Sequence, residues 1–212
     1  MKTVLCYGDS LTWGYDATGP GRHALEDRWP SVLQEALGNQ VNVIAEGLNG
    51  RTTAFNDYAA AEDRNGARVL PTILGTHAPL DLVIIMLGTN DMKPFISGSA
   101  LGAKQGMRRL VDIVRRHPYF GEAEAPDVLI VAPPHIGETA NPDFAALLTG
   151  GVAESRKLAI LYADMADETS CGFFDAARVA RTTPIDGIHM DADHTKALGR
   201  ALAPVVRVML GL

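Results

Sequence analysis

Ser10, Gly50, Asn90, Asp186 and His189 are the residues of this chain whose types could together carry out acyl transfer. A serine hydroxyl is a poor nucleophile until a base takes its proton, and His189 can be that base. A carboxylate must then fix the imidazole's tautomer and steady the imidazolium that forms, which Asp186 can do. Asp186 and His189 stand three residues apart with Gly187 between them, so one tight loop can present both. The oxyanion that develops on the carbonyl needs donors. Asn90 offers a side-chain amide, Gly50 a backbone N–H with no side chain to obstruct a substrate, and Ser10 its own N–H. Losing one such donor costs about 2.7–4 kcal/mol of transition-state stabilisation.

Taken singly, each group also reads as a plain turn. Gly8-Asp9-Ser10 and Gly88-Thr89-Asn90-Asp91 consist of common turn residues. Gly50 could serve only a positive φ, and Asp186 with His189 could be a surface pair near a helix start. Independent turns are not expected to supply nucleophile, base, orienter and donors together, so the joint reading is the stronger. Trp13 and Ile185 are the candidates for the substrate pocket, and Trp13 could equally pack its loop into the core. Asp9 reads as a support for the Ser10 turn. Arg51 and Lys93 default to solvated surface charge, and His194 to an exposed helix position. His23 and His135 have no chemical partner in the sequence. There is no His-Glu-x-x-His spacing and no close cysteine pair, so neither a metal nor a cofactor is expected.

The elements that must hold these residues alternate strand and helix along the whole chain. Strands are expected at residues 2–7, 41–45, 82–87 and 128–132, with a short fifth at 173–174. Leu82-Val83-Ile84-Ile85-Met86-Leu87 is the clearest, an unbroken apolar run suited to a central parallel strand buried on both faces. Helices are expected at 28–37 with Asp27 as N-cap, at 66–76 disturbed by Pro71, and at 100–117 with Ser99 as N-cap. Others follow at 144–148, 152–167 and 193–210, the last with Asp191 near its start. Leu101 belongs to the apolar face expected of the 100–117 helix. The pattern gives one α/β domain over residues 1–212, a three-layer arrangement of about five parallel strands with helices on both faces. Ser10, Gly50 and Asn90 then follow the carboxyl ends of three strands, where ligands bind in such sheets. The connections at 14–27 and 133–142 are long for this architecture and suit a functional role.

The chain has 212 residues, 47% of them hydrophobic and 21% charged, an ordinary globular composition. The net charge of −6 argues against a nucleic-acid partner and gives no reason to expect an anionic membrane. No apolar run approaches the roughly 20 residues of a membrane span. The segment before Gly8 is too short for a signal-peptide core, and the expectation is a cytoplasmic protein. Cys6 falls in a buried-strand pattern, far from Cys171, and reads as a small core hydrophobe.

Gly8-Asp9-Ser10-Leu11, Gly50, Gly88-Thr89-Asn90-Asp91 and Asp186-Gly187-Ile188-His189 resemble the four blocks of the SGNH (GDSL) hydrolases. They come in family order and span residues 8 to 189. Asp9-Ser10-Leu11-Thr12-Trp13-Gly14, Glu46-Gly47-Leu48 with Arg51-Thr52-Thr53, and the stretch from Leu82 to Asp91 are similar to its arylesterase/acyltransferase (perhydrolase) branch. The resemblance implies a flavodoxin-like sheet. It implies Ser10 as nucleophile, His189 as base, Asp186 as orienter, and Ser10, Gly50 and Asn90 as the oxyanion hole. It implies a cofactor-free esterase for aryl and short-chain alkyl acetates, with water, an alcohol or hydrogen peroxide taking the acyl group. Asn49-Gly50 stands where a close acyltransferase relative has Ser-Ala, which bears on the choice of acceptor. The alternatives are a lysophospholipase or thioesterase, a carbohydrate acetylesterase and, from another class, a non-catalytic flavodoxin-like binding module. The branch also implies a homo-oligomer such as an octamer, with the two long loops shaping a narrow entrance.

Overall fold

The computed structural model describes residues 1–19, 21–121 and 124–212. Pro20, in the first of the long loops, lies outside the described residues. Five parallel strands form one sheet in the order β2-β1-β3-β4-β5. They are β1 (Lys2–Gly8), β2 (Val41–Gly47), β3 (Leu82–Met86), β4 (Asp127–Ala132) and β5 (Gly172–Asp175). The helices are α1 (Ser10–Trp13), α2 (Trp29–Leu37), α3 (Gly66–His77), α4 (Ala100–Arg116), α5 (Pro142–Leu147), α6 (Gly151–Glu168) and α7 (Ala192–Leu210). Among the described residues, no helix is long and apolar enough to cross a membrane.

The period of two along each strand sorts the side chains into two cores. Leu5, Tyr7, Val83, Ile85, Val128 and Ile130 pack with Leu70 and Leu74 of α3, Met107 and Leu110 of α4, and Leu158 and Tyr162 of α6. Val4, Cys6, Leu82, Ile84, Met86, Leu129 and Val131 pack with Trp29 and Leu33 of α2 and Leu198 and Leu202 of α7. Every residue of β3 is buried, as its unbroken apolar run requires. Cys6 is buried and unpaired, and burial pushes its thiol pKa up, so it behaves as a small hydrophobe.

Several helix boundaries differ from the sequence expectation. Arg28, not Asp27, occupies the N-cap of α2, and its side chain makes no capping bond. The Trp29 N–H instead donates to Thr195 Oγ1 of α7 at 3.0 Å, so a distant helix satisfies that end. Asp27 pairs with Lys196 at 3.1 Å. Leu101 faces solvent at 59% exposure, because the buried stripe of α4 runs through Ala103, Gly106, Met107 and Leu110. Helix α3 continues through Pro71 to His77. Ser99 and Asp191 do cap α4 and α7, accepting from the N–H groups of Gly102 and His194.

The register positions the site. Gly8 lies opposite both Gly47 and Met86, so β1, β2 and β3 end along one edge. The segments leaving these strands reach Ser10, Gly50 and Asn90 within four residues. Gly47 permits the close approach of α1: a Cβ there would stand 2.2 Å from the Trp13 backbone nitrogen.

Candidate active site

Asp9 N-caps the short helix α1, its Oδ1 accepting from the Leu11 N–H at 2.9 Å. Gly14 closes that turn in the left-handed region at φ 90°. Ser10 is therefore the first residue of a helical turn, where N–H groups lack intrahelical partners. Its N–H donates to nothing among the described residues.

The loop before α7 brings Asp186 and His189 over Ser10. Asp186 Oδ1 accepts from the N–H groups of Ile188 (2.8 Å) and His189 (2.9 Å), which shapes the loop. Its Oδ2 lies 2.5 Å from His189 Nδ1, and His189 Nε2 lies 2.9 Å from Ser10 Oγ. With Nδ1–H donating to the carboxylate, Nε2 presents a lone pair to the serine. Burial alone would raise the Asp186 pKa. The bonds it receives from the His189 ring and from the His189 and Ile188 backbone outweigh that and hold it below the usual carboxylate range. The Tyr15 ring covers the imidazole, centroid to centroid at 4.1 Å. Two backbone bonds anchor the loop, Gly137 N–H to Gly187 O and Thr183 N–H to His189 O.

Gly50 follows β2 in a turn at φ 81°, and its N–H is also without a partner among the described residues. Asn90 opens a 3₁₀ turn (Asn90–Met92) after β3. Its Nδ2 donates to Arg51 O at 3.2 Å and Asp9 Oδ2 at 3.3 Å. Both bonds are long, so the amide can turn one proton to a developing oxyanion at little cost. Ser10, Gly50, Asn90 and His189 all border one cavity of about 180 Å³. The set can deliver a deprotonated serine to a carbonyl carbon and receive the resulting oxyanion.

The two pocket candidates from the sequence do not border this cavity. Trp13 lies at a separate hollow beside α2, because its backbone is seated on Gly47 and its ring lies under the Arg22 guanidinium at 4.2 Å. Ile185 is 48% exposed: its neighbour Asp186 turns inward to His189 and leaves it facing solvent. The apolar wall is instead Tyr15, Phe144, Leu147, Leu148 and Ile188. Among the described residues no cluster of His, Cys, Asp and Glu could hold a metal ion.

Residues 6–202 match the family model of the GDSL-like Lipase/Acylhydrolase family. The chain belongs to that family. The structure of a carbohydrate acetylesterase family member from Sinorhizobium meliloti superposes with a TM-score of 0.99 at 68% identity, covering 100% of both chains. The native M. smegmatis aryl esterase superposes at 0.94 with 42% identity, over 99% of this chain and 100% of its own. Est24, a carbohydrate acetylesterase from Sinorhizobium meliloti, does so at 0.93 with 40% identity over the same shares. A comparison with curated proteins returned no significant match. The protein is a carboxylic ester hydrolase with an α/β fold of the SGNH type.

Two charged residues of this esterase depart from their sequence reading. Arg51 is buried: its Nη1 donates to Gly8 O at 2.8 Å and to Glu46 O, and its guanidinium lies 4.2 Å from the Tyr7 ring centroid. It satisfies carbonyls at the ends of β1 and β2 and holds the Gly50 turn to the sheet. Lys93 is 7% exposed and borders the cavity. Asp91, fully buried, accepts from the Thr53 N–H and Oγ1 and fastens the Asn90 turn to the segment after Gly50. Burial pushes the carboxyls of both Asp9 and Asp91 up to about 6, against the bonds they accept from Leu11 and Thr53 respectively.

Proposed function

We propose that Ser10, His189 and Asp186 are the nucleophile, base and orienter of this esterase, and that Ser10 N–H, Gly50 N–H and Asn90 Nδ2 form its oxyanion hole. The observation that carries the reading is the continuous chain of contacts from Asp186 Oδ2 through His189 to Ser10 Oγ, 2.5 and 2.9 Å. Nε2 takes the serine proton as Oγ attacks the ester carbonyl. The tetrahedral oxyanion is held by the three donors. The imidazolium, steadied by Asp186, returns its proton to the departing alcohol and leaves an acyl-serine. An incoming water loses its proton to Nε2, attacks the acyl carbon and releases the acid as Ser10 regains its proton. An alcohol or hydrogen peroxide entering at that step would give a new ester or a peracid by the same proton path.

The substrates are small carboxylic esters, aryl and short-chain alkyl acetates. The cavity of about 180 Å³ and its partly apolar wall support short acyl groups over the long chains of a lysophospholipase. A carbohydrate acetyl ester is the second reading. It is favoured by the names of two similar structures and by the unpartnered buried atoms Asn49 Oδ1 and Thr89 Oγ1 at the cavity. A panel varying acyl length, leaving group and acceptor, run beside Ser10→Ala, tests these readings. Short acyl groups on aryl leaving groups should be favoured. A preference for long chains, or wild-type turnover by Ser10→Ala, contradicts them.

The assembly is read as a homo-oligomer of octamer type. Large exposed side chains such as Tyr58, Phe95 and Phe120 support burial against further copies. Light scattering at a monomer mass would remove that reading. A cytoplasmic location is supported by the two free cysteines.

A further inference from the structure

The cavity that holds Ser10 has a second chemical face that the hydrolytic steps do not use. Lys93 directly follows the 3₁₀ turn that aims Asn90, so the same backbone sets both on the cavity wall. It is 7% exposed, yet no acid lies within ion-pair distance of its ammonium and no hydrogen-bond partner is found among the described residues. The ammonium itself is not sealed from solvent, so it is open to the cavity that it borders. Beside it, the guanidinium of Arg64 lies against Gly50: a Cβ on that glycine would stand 2.7 Å from Arg64 Nε. Arg64 Nη1 bonds to the buried Asp57 at 3.0 Å and Nη2 lies 3.8 Å from Glu62. Asp57 pairs with Arg64 and is also the acid that acts most strongly on Lys93, which forms no ion pair of its own among the described residues. Arg64 Nε is nonetheless buried without a partner.

We propose that Lys93, with the Arg64 guanidinium on the same cavity wall, forms a carboxylate subsite beside the oxyanion hole, and that this esterase takes small esters carrying an acidic group. The proposal rests on the serine-esterase reading above. A carboxylate oxygen accepts from the Lys93 ammonium, and bonds between ionised groups are the strong kind. Phe144, Leu147 and Leu148 leave the opposite wall apolar, which suits the neutral end of the same substrate. Burial, reinforced by Arg64, pushes the Lys93 ammonium below its ordinary range against the pull of Asp57, Asp9 and Asp91. The acid can sit on the acyl chain or on the alcohol, and the two are separable by experiment.

The test uses two pairs of esters. The first is the para-nitrophenyl monoester of succinic acid against its methyl-capped form, which places the acid on the acyl side. The second is para-acetoxybenzoate against its methyl ester, which places it on the alcohol side. The quantity read is the ratio of kcat/KM for the charged ester to that for the neutral one. In at least one pair the wild type should favour the charged ester. Lys93→Met should lower that ratio by about tenfold or more, and Lys93→Arg should restore part of it. Free succinate or benzoate should inhibit the wild type competitively, and less as salt rises, a measurement that needs no variant to fold. Ratios that Lys93→Met leaves unchanged in both pairs, or no salt-sensitive inhibition by either acid, overturn the subsite. Turnover of the neutral esters by the wild type and its loss in Ser10→Ala tests the esterase reading separately, so either can fail alone.

Discussion

The side-chain amide of Asn90 donates to the buried carboxylate of Asp9 over 3.3 Å, tying the end of β3 to the turn that carries Ser10. A carboxylate accepts and cannot donate unless protonated, so an ionised Asp9 keeps the NH₂ end of Asn90, not its oxygen, toward the serine turn.

Asp9→Asn removes that orientation and changes the pH dependence of stability. The Asp9 pKa is pushed up to about 6 by burial, above the ordinary value of 3.8 that it regains on unfolding. The folded form thus holds its proton more tightly. Its stabilising contribution is complete below about pH 4 and is lost as pH rises through 6. That difference corresponds to an effect on the order of 3 kcal/mol. Denaturant titrations at pH 4 and pH 7 should show the wild type gaining on Asp9→Asn as pH falls. A difference that is the same at both pH values rejects the assignment.

Asn90→Ala removes a donor that acts on the transition state more than on the bound ester. Its kcat should fall on the order of 10²–10³-fold with a much smaller change in KM. Steady-state kinetics on a short aryl acetate reads both. A loss confined to KM would place Asn90 in ground-state binding alone.

Gly50→Ala meets two obstacles at once. The residue sits at φ 81°, where a Cβ costs about 1–2 kcal/mol. That Cβ would also press on Arg64, 2.7–2.8 Å away. Thermal unfolding should show a lower Tm, and kcat/KM should fall because the N–H donor shifts with the turn. Unchanged values of both would mean that the turn relaxes freely and that Gly50 has no special place in the hole.

Asp186→Asn keeps the side chain's shape but lets the amide donate toward Nδ1, which favours the wrong imidazole tautomer. The loss in kcat should be large, on the order of 10⁴-fold by analogy with serine proteases. The pH–rate profile of the variant reads the remaining base. Activity within threefold of wild type would show that the loop backbone alone orients His189.

The sheet was legible because parallel strands announce themselves. Leu82–Met86 is apolar throughout, and strand–helix alternation fixes which ends meet. That alternation puts Ser10, Gly50 and Asn90 near one another, and the geometry brings them to one cavity with His189. The apolar wall was not legible. Phe144, Leu147 and Leu148 come from a short helix in a long connection, and nothing local marks which of its faces turns inward. Trp13 misled because its backbone is seated on Gly47, distant in sequence, and its ring lies under Arg22 of the following loop, neither of which the local pattern reveals. Arg51 and Lys93 misled for a related reason. Charge predicts exposure on average, but strand-end carbonyls and a polar cavity each accommodate a cation that local sequence does not reveal.

The most direct measurement is acid-quench mass spectrometry after mixing the protein with para-nitrophenyl acetate, run beside Ser10→Ala. The expected result is an acetyl group on the peptide containing Ser10, formed with the first release of nitrophenol, and neither the adduct nor appreciable turnover in the variant. Turnover by Ser10→Ala at the wild-type rate, or an acetyl group on another residue formed at the turnover rate, would contradict a Ser10 nucleophile.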